Sequence, residues 1–330
     1  MDKLDALQNA LPSPTTIHAL PPELLADILS HLYTADEVHL DSLKAASLVA
    51  HAWTDSAQRL LWSAGAELQS EQDIDKFVKT APLRRSGPKE LAVLDYKDKR
   101  SLKRLFRVCR GLRWLMLATP KRELDSKVLQ MAELSELRNL IVQAWLLPLL
   151  RPNLVFPFAL HSLVIDDLSF RSPHLAPFLT ALSHSSIPSL RSIALTGFSP
   201  SAHPAVADAL LPFAPHLRHF GLSTTLKADS SPYVPFFQAA TSLNSFECTS
   251  LPPVLLANLP PSLTVLATAE DACNLDALQL GQAFEGLKGL KRLYFRMSRE
   301  AFSMKLYGGR RLLEETITNG VDWRFEGDEV

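Results

Sequence analysis

One phrase constrains this chain more than any other feature: Leu, two residues, an apolar residue, one residue, then usually another apolar residue. It occurs nine times, with first leucines 20–30 residues apart. The early copies are Leu91-Ala-Val-Leu94-Asp-Tyr96, Leu112-Arg-Trp-Leu115-Met-Leu117, Leu137-Arg-Asn-Leu140-Ile-Val142 and Leu160-His-Ser-Leu163-Val-Ile165. Then come Leu190-Arg-Ser-Ile193-Ala-Leu195, Leu217-Arg-His-Phe220-Gly-Leu222 and Leu243-Asn-Ser-Phe246-Glu-Cys248. Leu263-Thr-Val-Leu266-Ala-Thr268 and Leu290-Lys-Arg-Leu293-Tyr-Phe295 complete the series. Apolar residues two apart at the end of each phrase share one face of an extended strand. The spacing leaves room for one strand and one return segment per unit. Such a unit cannot bury its apolar face alone, so neighbours must stack into a curved coil. A stacked coil presents a long surface, which points to binding another protein rather than to chemistry.

The phrase and its period resemble leucine-rich repeats. The resemblance implies an α/β fold, a solenoid bent into a horseshoe over residues 63–326. The repeats start before Leu91: residues 62–68 supply a first strand and residues 72–80 its helix. At the far end Val321-Asp-Trp323-Arg-Phe325 alternates as a last strand, and residues 327–330 form an acidic tail. Among the return segments, residues 174–183 and 204–211 read as helices, whereas the proline-rich stretch 251–261 reads as turns. A chain that reverses twice per unit has a use for its 23 prolines.

Charge and cysteine content narrow the function. A net charge of −1 gives no global field to recruit nucleic acid or an anionic membrane. Cys109, Cys248 and Cys273 are too few and too scattered for a disulfide framework or a zinc site. Free thiols of this kind suit the reducing cytoplasm or nucleus. The first 15 residues lack the apolar core of a secretory signal. The apolar run 140–150 is too short for a bilayer span and reads as strand plus helix of one repeat. No cofactor, metal, nucleic-acid or membrane partner is expected.

Residues 1–16 read as a flexible tail, and residues 17–62 have a different character. Leu20-Pro21-Pro22-Glu23 leads into Leu24, Leu25, Ile28, Leu29 and Leu32, the stripe of an amphipathic helix with proline in its first turn. Asp41 or Ser42 can cap a second helix carrying Leu43 and Ala46. A third segment holds Leu48, Val49, Trp53, Ala57, Leu60, Leu61 and Trp62. About 45 residues of short helices cannot hold themselves together and need the solenoid, a partner or both.

Leu20-Pro-x-Glu23, the helical stripe, Ser47-Leu48-Val49, Trp53 and Leu61-Trp62 together resemble an F-box, and an F-box before leucine-rich repeats is a familiar architecture. Two departures stand out. The stretch from Leu32 to Trp53 is longer than usual, with 34–40 as the insertion, and Val49-Ala50-His51-Ala52 stands where a Cys often precedes the Trp. The resemblance implies a substrate-recognition subunit of a cullin-RING (SCF-type) ubiquitin ligase. Its F-box would dock the S-phase-kinase-associated adaptor, and through it a cullin, while the repeats hold an unknown protein substrate. It further implies adaptor contacts from Leu20, Pro21, Leu24, Ile28, Leu32, Leu43, Leu48 and Val49. The alternative is a non-ligase scaffold whose F-box-like helices merely cap the repeats.

Alternation along each strand also selects a binding face. The residues between and beside the inward positions are expected to line the concave sheet: Val93, Asp95 and Lys97, Trp114 and Met116, Asn139, Ile141 and Gln143, then Ser162, Val164 and Asp166. Further along come Ser192, Thr196, His219, Ser223, Ser245, Glu247 and Thr249, with Arg292, Tyr294 and Arg296 at the end. Trp114, Met116 and Ile141 form the apolar anchor expected of a binding hot spot. Trp114, Met116, Ile141, Asp166, Glu247, Tyr294 and Arg296 are the candidate substrate contacts. Residues 97–110 read as a helix with a buried stripe and a basic outer face, a solvated face rather than a dock for an acidic partner or phosphopeptide. No nucleophile elbow, zinc-protease motif, phosphate loop or dinucleotide fingerprint is present. The protein is therefore expected to be no enzyme itself.

Overall fold

The repeated phrase forms strands because its inward residues are branched or aromatic and recur with period two. In the computed structural model, the described residues are 22–30, 65–81, 87–96, 99–118, 125–143, 154–166, 174–223, 231–249, 251–269, 286–296 and 320–325, with single positions at 45, 48, 53, 54, 57, 60, 150 and 317. Among the described residues, eleven strands form one open sheet in which every neighbouring pair is parallel and spatial order equals chain order. They are β1 (Ala66–Leu68), β2 (Glu90–Val93), β3 (Trp114–Leu117), β4 (Asn139–Gln143), β5 (Ser162–Asp166) and β6 (Ser192–Thr196). β7 (His219–Ser223), β8 (Ser245–Cys248), β9 (Val265–Ala269), β10 (Arg292–Arg296) and β11 (Asp322–Phe325) follow. Each unit adds one strand at the growing edge, a solenoid-like α/β arrangement.

Two inward rows build the core. One runs Leu91, Leu115, Leu140, Leu163, Ile193, Phe220, Phe246, Leu266 and Leu293 across β2 to β10. The other runs from Leu68 and Val93 through Leu117, Val142, Ile165, Leu195 and Leu222 to Cys248. Every member of these two rows is buried. The register of β2 corrects the first repeat. Leu91 pairs with Leu115 and Val93 with Leu117, so Pro88, itself buried, occupies the first-leucine position. Val93 is thus core rather than binding face, Leu94 is partly exposed, and Asp95 lies past the strand end. Lys97 lies outside the described residues.

The described return segments pack on the inward side of the sheet. Their helices are α2 (Glu71–Thr80), α3 (Lys99–Val108), α4 (Ser126–Leu129), α5 (Leu175–Ser186), α6 (His203–Leu210), α7 (Val234–Ala239) and α8 (Pro253–Leu256), following the N-terminal α1 (Pro22–Ser30). Residues 174–183 and 204–211 thus fall on helices as expected, but the stretch 251–261 contains the one-turn α8 rather than turns alone. Ser70 caps α2: its hydroxyl oxygen accepts from the Asp73 backbone N at 3.3 Å and donates to the Asp73 carboxylate at 2.7 Å. α3 buries Leu102, Leu105 and Phe106, and its basic face is partly neutralised, Arg104 reaching Asp75 at 2.9 Å and Lys99 reaching Asp125 at 3.8 Å.

Around β7 and β8 the core between sheet and returns is a cluster of stacked and edge-on phenylalanines. Phe220 lies 4.7 Å from the Phe236 ring and 5.7 Å, nearly parallel, from Phe246, with Phe237 edge-on to Phe246 at 4.9 Å. Serines of the Pro188-Ser189-Leu190 and Pro261-Ser262-Leu263 turns donate to the preceding unit's carbonyls, Leu160 at 2.7 Å and Leu243 at 2.8 Å. These bonds satisfy backbone groups that burial cuts off from water.

Among the described residues, Leu25, Leu29 and Ala57, with Trp53 and Leu60 packed on them, form a cluster separate from the sheet's core. No described helix is long and apolar enough to cross a membrane.

Candidate functional site

The residues between the inward rows line the opposite face of the sheet, and all of them keep solvent contact. Parallel register aligns them into rows, with about 4.8 Å between neighbouring strands. The central row reads Glu67, Ala92, Met116, Ile141, Val164, Ala194, Gly221, Glu247, Ala267, Tyr294 and Arg324. From Ala92 to Gly221 it is an uninterrupted apolar strip six strands wide. Beside it runs Glu90, Trp114, Asn139, Ser162, Ser192, His219 and Ser245. On the other side lie Gln143, Asp166, Thr196 and Ser223.

The strip has bulk on β3 to β5 and almost none at its β7 end. Met116 pairs with Ile141 and Ile141 with Val164, while Trp114 stands two residues from Met116 on the same face. Ala194 and Gly221 then leave the backbone nearly bare, and a Cβ on Gly221 would come within 3.2 Å of the Ala194 Cβ. Thr196 donates its hydroxyl to the Asp166 carboxylate across the β5–β6 boundary, fixing that charge at the border of the strip. At the far end Asp322 holds Arg324 at 3.0 Å, and the guanidinium stands 5.8 Å from the centre of the Tyr294 ring. That hydrogen bond and the Asp322 charge raise the Arg324 pKa.

Of the candidate substrate contacts, Trp114, Met116, Ile141, Asp166, Glu247 and Tyr294 all lie on this face and are partly exposed. Trp114, Met116 and Ile141 are brought together; Tyr294 stands six strands from Ile141 and belongs to a different neighbourhood. Arg296 ends β10, but its side chain lies outside the described residues. The repeat phrase did not point to Glu90 and Ala92, which the Pro88 register places on this face.

Among the candidate adaptor contacts, Leu24 and Ile28 are 52% and 50% exposed on α1, while Leu25 and Leu29 beside them are 2% and 1% exposed. α1 thus carries two apolar stripes, one packed against Ala57 and one facing solvent. Leu48 is 85% exposed. Leu20, Pro21, Leu32, Leu43 and Val49 lie outside the described residues.

The chemically reactive groups sit elsewhere. Burial pushes the Cys109 thiol up to about 12 and raises that of Cys248 further, with Glu247 adding to the latter. His203, 5% exposed, shares a 2.7 Å hydrogen bond with the Tyr233 hydroxyl inside the helical layer, and burial lowers its pKa. A groove of about 680 Å³ runs between α5 and α6, but its Thr180 and Ser183 hydroxyls donate to α5 carbonyls and do not converge on the space. No group of three or more His, Cys, Asp or Glu arranged to hold a metal ion occurs among the described residues.

No family model and no curated protein matches the chain. Among solved structures, a Bacteroides fragilis protein determined as a structural-genomics target is similar at 14% identity and a TM-score of 0.42, over 78% of this chain and 70% of its own. At that level of similarity neither fold nor function carries over.

Proposed function

We propose that this protein is the substrate-recognition subunit of an SCF-type ubiquitin ligase, an F-box followed by a leucine-rich-repeat horseshoe. The observation that carries the reading is the solvent-facing pair Leu24 and Ile28, set one turn apart on α1 beside a separate buried stripe. A helix uses one apolar face for its own domain; a second, open one is the form that helix-in-groove docking requires. The F-box resemblance names the adaptor as the partner. The repeats then hold the client protein on the open sheet face, with Trp114, Met116 and Ile141 as its apolar anchor, and the ligase partners supply the chemistry through proximity. The alternative, a cap for the repeats, gives no use to the second, open stripe on α1.

The test is co-purification. Leu24→Asp with Ile28→Asp is expected to abolish adaptor and cullin capture while leaving the melting curve unchanged. Two charges placed in a desolvated groove cost several kcal/mol, yet in the free chain both side chains already face water. Undiminished adaptor capture by the folded double variant refutes the reading.

A further inference from the structure

The residue just before each strand from β2 to β10 belongs to a row that the repeat phrase conceals, because its members lie about one repeat apart in the chain. The row runs Lys89, Arg113, Arg138, His161, Arg191, Arg218, Asn244, Thr264 and Lys291. It is held together by backbone bonds from each member's N to the preceding member's carbonyl, for example Arg138 to Arg113 at 2.9 Å and Arg218 to Arg191 at 2.8 Å. From β2 to β7 five of six members are Lys or Arg and the sixth is histidine. That is five permanent cations along five strand steps, about 24 Å at about 4.8 Å per step. None makes an ion pair among the described residues. Arg138 and Arg191 each donate to a turn carbonyl, of Ala159 and Leu190, so these two also serve the fold. Lys89, Arg113 and Arg218 are exposed and make no side-chain hydrogen bond. Exposed Arg110, whose backbone abuts Gly87, extends the charge at the β2 end, while Glu90 and Glu136 partly offset it there.

The geometry points to this strand-entry edge as a docking rail for an extended, carboxylate-rich segment of a partner protein. Three features select that occupant. The cations stand in single file rather than converging, which matches a line of single negative charges better than a phosphate dianion needing several donors at one point. The carbonyls of this row are already taken, Arg113 accepting from both Arg138 and Asn139, so recognition falls to side-chain charge rather than to strand addition. Beyond the His161 imidazole, the row holds no aromatic platform for stacking bases, with only Trp114 and His219 beside it, which disfavours single-stranded nucleic acid. That the acidic segment belongs to the client rests on the receptor reading above; the binding itself does not.

The full chain is titrated against a labelled polyglutamate peptide of about ten residues, long enough at about 3.3 Å per residue to cover the charged row. Binding is expected at low salt and is expected to weaken as salt rises. Lys89→Glu, Arg113→Glu and Arg218→Glu together are expected to weaken it by about tenfold or more, equivalent to about 1.4 kcal/mol. Lys76→Glu, Lys79→Glu and Lys127→Glu, the same charge change placed on α2 and α4, are expected to leave it within about twofold. Circular dichroism melts verify folding of both variants. The proposal is overturned by equal loss in both triple variants, by no binding of the folded wild type, or by tighter binding of an oligouridylate of equal charge than of polyglutamate. Adaptor capture by the same wild-type preparation reports on the receptor reading separately: no capture with peptide binding present refutes that reading and leaves the rail standing.

Discussion

Leu140 and Ile141 are adjacent in the chain and similar in size, yet the sheet sends them to opposite sides. Leu140 is 0% exposed between Leu115 and Leu163, whereas Ile141 stands on the open face between Met116 and Val164. Truncating Leu140 to alanine opens a closed cavity and is expected to cost about 2–5 kcal/mol. Ile141→Ala removes a partly exposed side chain without enclosing a void, so it forfeits only part of the roughly 1.5–3 kcal/mol of full burial, about 1 kcal/mol. At roughly 2 °C per kcal/mol for a chain of this size, Leu140→Ala lowers Tm by about 4–10 °C and Ile141→Ala by about 2 °C. Differential scanning calorimetry of the two single variants makes the comparison, and a client-capture assay adds the functional half. There the order is reversed: Ile141→Ala with Trp114→Ala is expected to lose about 2 kcal/mol of affinity, roughly thirtyfold, with little loss of stability. If Ile141→Ala melts as low as Leu140→Ala, the register is displaced by one residue and every residue assigned to the open face moves to the core.

Two further outcomes follow from particular residues. His203 is held neutral by burial, so its folded pKa lies below that of the unfolded chain, about 6.5. As pH falls below about 6.5 the unfolded imidazole takes up a proton that the folded one resists, and stability declines by at most about 1.4 kcal/mol per pH unit. Urea midpoints between pH 7.5 and 5.5 are expected to show this slope in the wild type and a shallower one in His203→Phe; identical slopes refute it. Gly111 turns the chain from α3 into β3 at φ 79°, and an added Cβ would meet only the Glu136 carboxylate, at an ordinary contact distance of 3.8 Å. Gly111→Ala therefore isolates the cost of left-handed backbone, about 1–2 kcal/mol in chemical denaturation, and an unchanged midpoint counts against that conformation.

Much of the fold is legible in the repeated phrase. Period-two alternation sets which side of a strand each residue takes, and a unit too small to bury its own apolar side must stack on the next. Hence the strand positions, the final strand near Trp323 and the open-face placement of Trp114, Met116 and Ile141 follow from the chain alone. The first repeat does not, because two overlapping phrases compete there. Leu91-Ala-Val-Leu94 matches the leucine pattern, but pairing with β3 selects Leu91 and Val93, with Pro88 in the leucine's place. No local signal separates the two, since both satisfy the alternation; only the neighbouring strand breaks the tie.

Adjacency across the sheet is the other matter that tertiary structure alone decides. Met116, Ile141 and Val164 become one apolar strip, and Arg113, Arg138, Arg191 and Arg218 one charged edge, because parallel register brings residues about one repeat apart in the chain to about 4.8 Å spacing. Likewise, α1 carries Leu24, Leu25, Ile28 and Leu29 on a broad stripe, and nothing in their spacing tells which ones the domain uses. Packing on Ala57 buries Leu25 and Leu29, and the remainder, Leu24 and Ile28, is left in water. The chain by itself determines which residues are apolar and with what period. Which of them meet is settled by the register between strands and by the packing of helix on helix, both of which depend on residues distant in sequence.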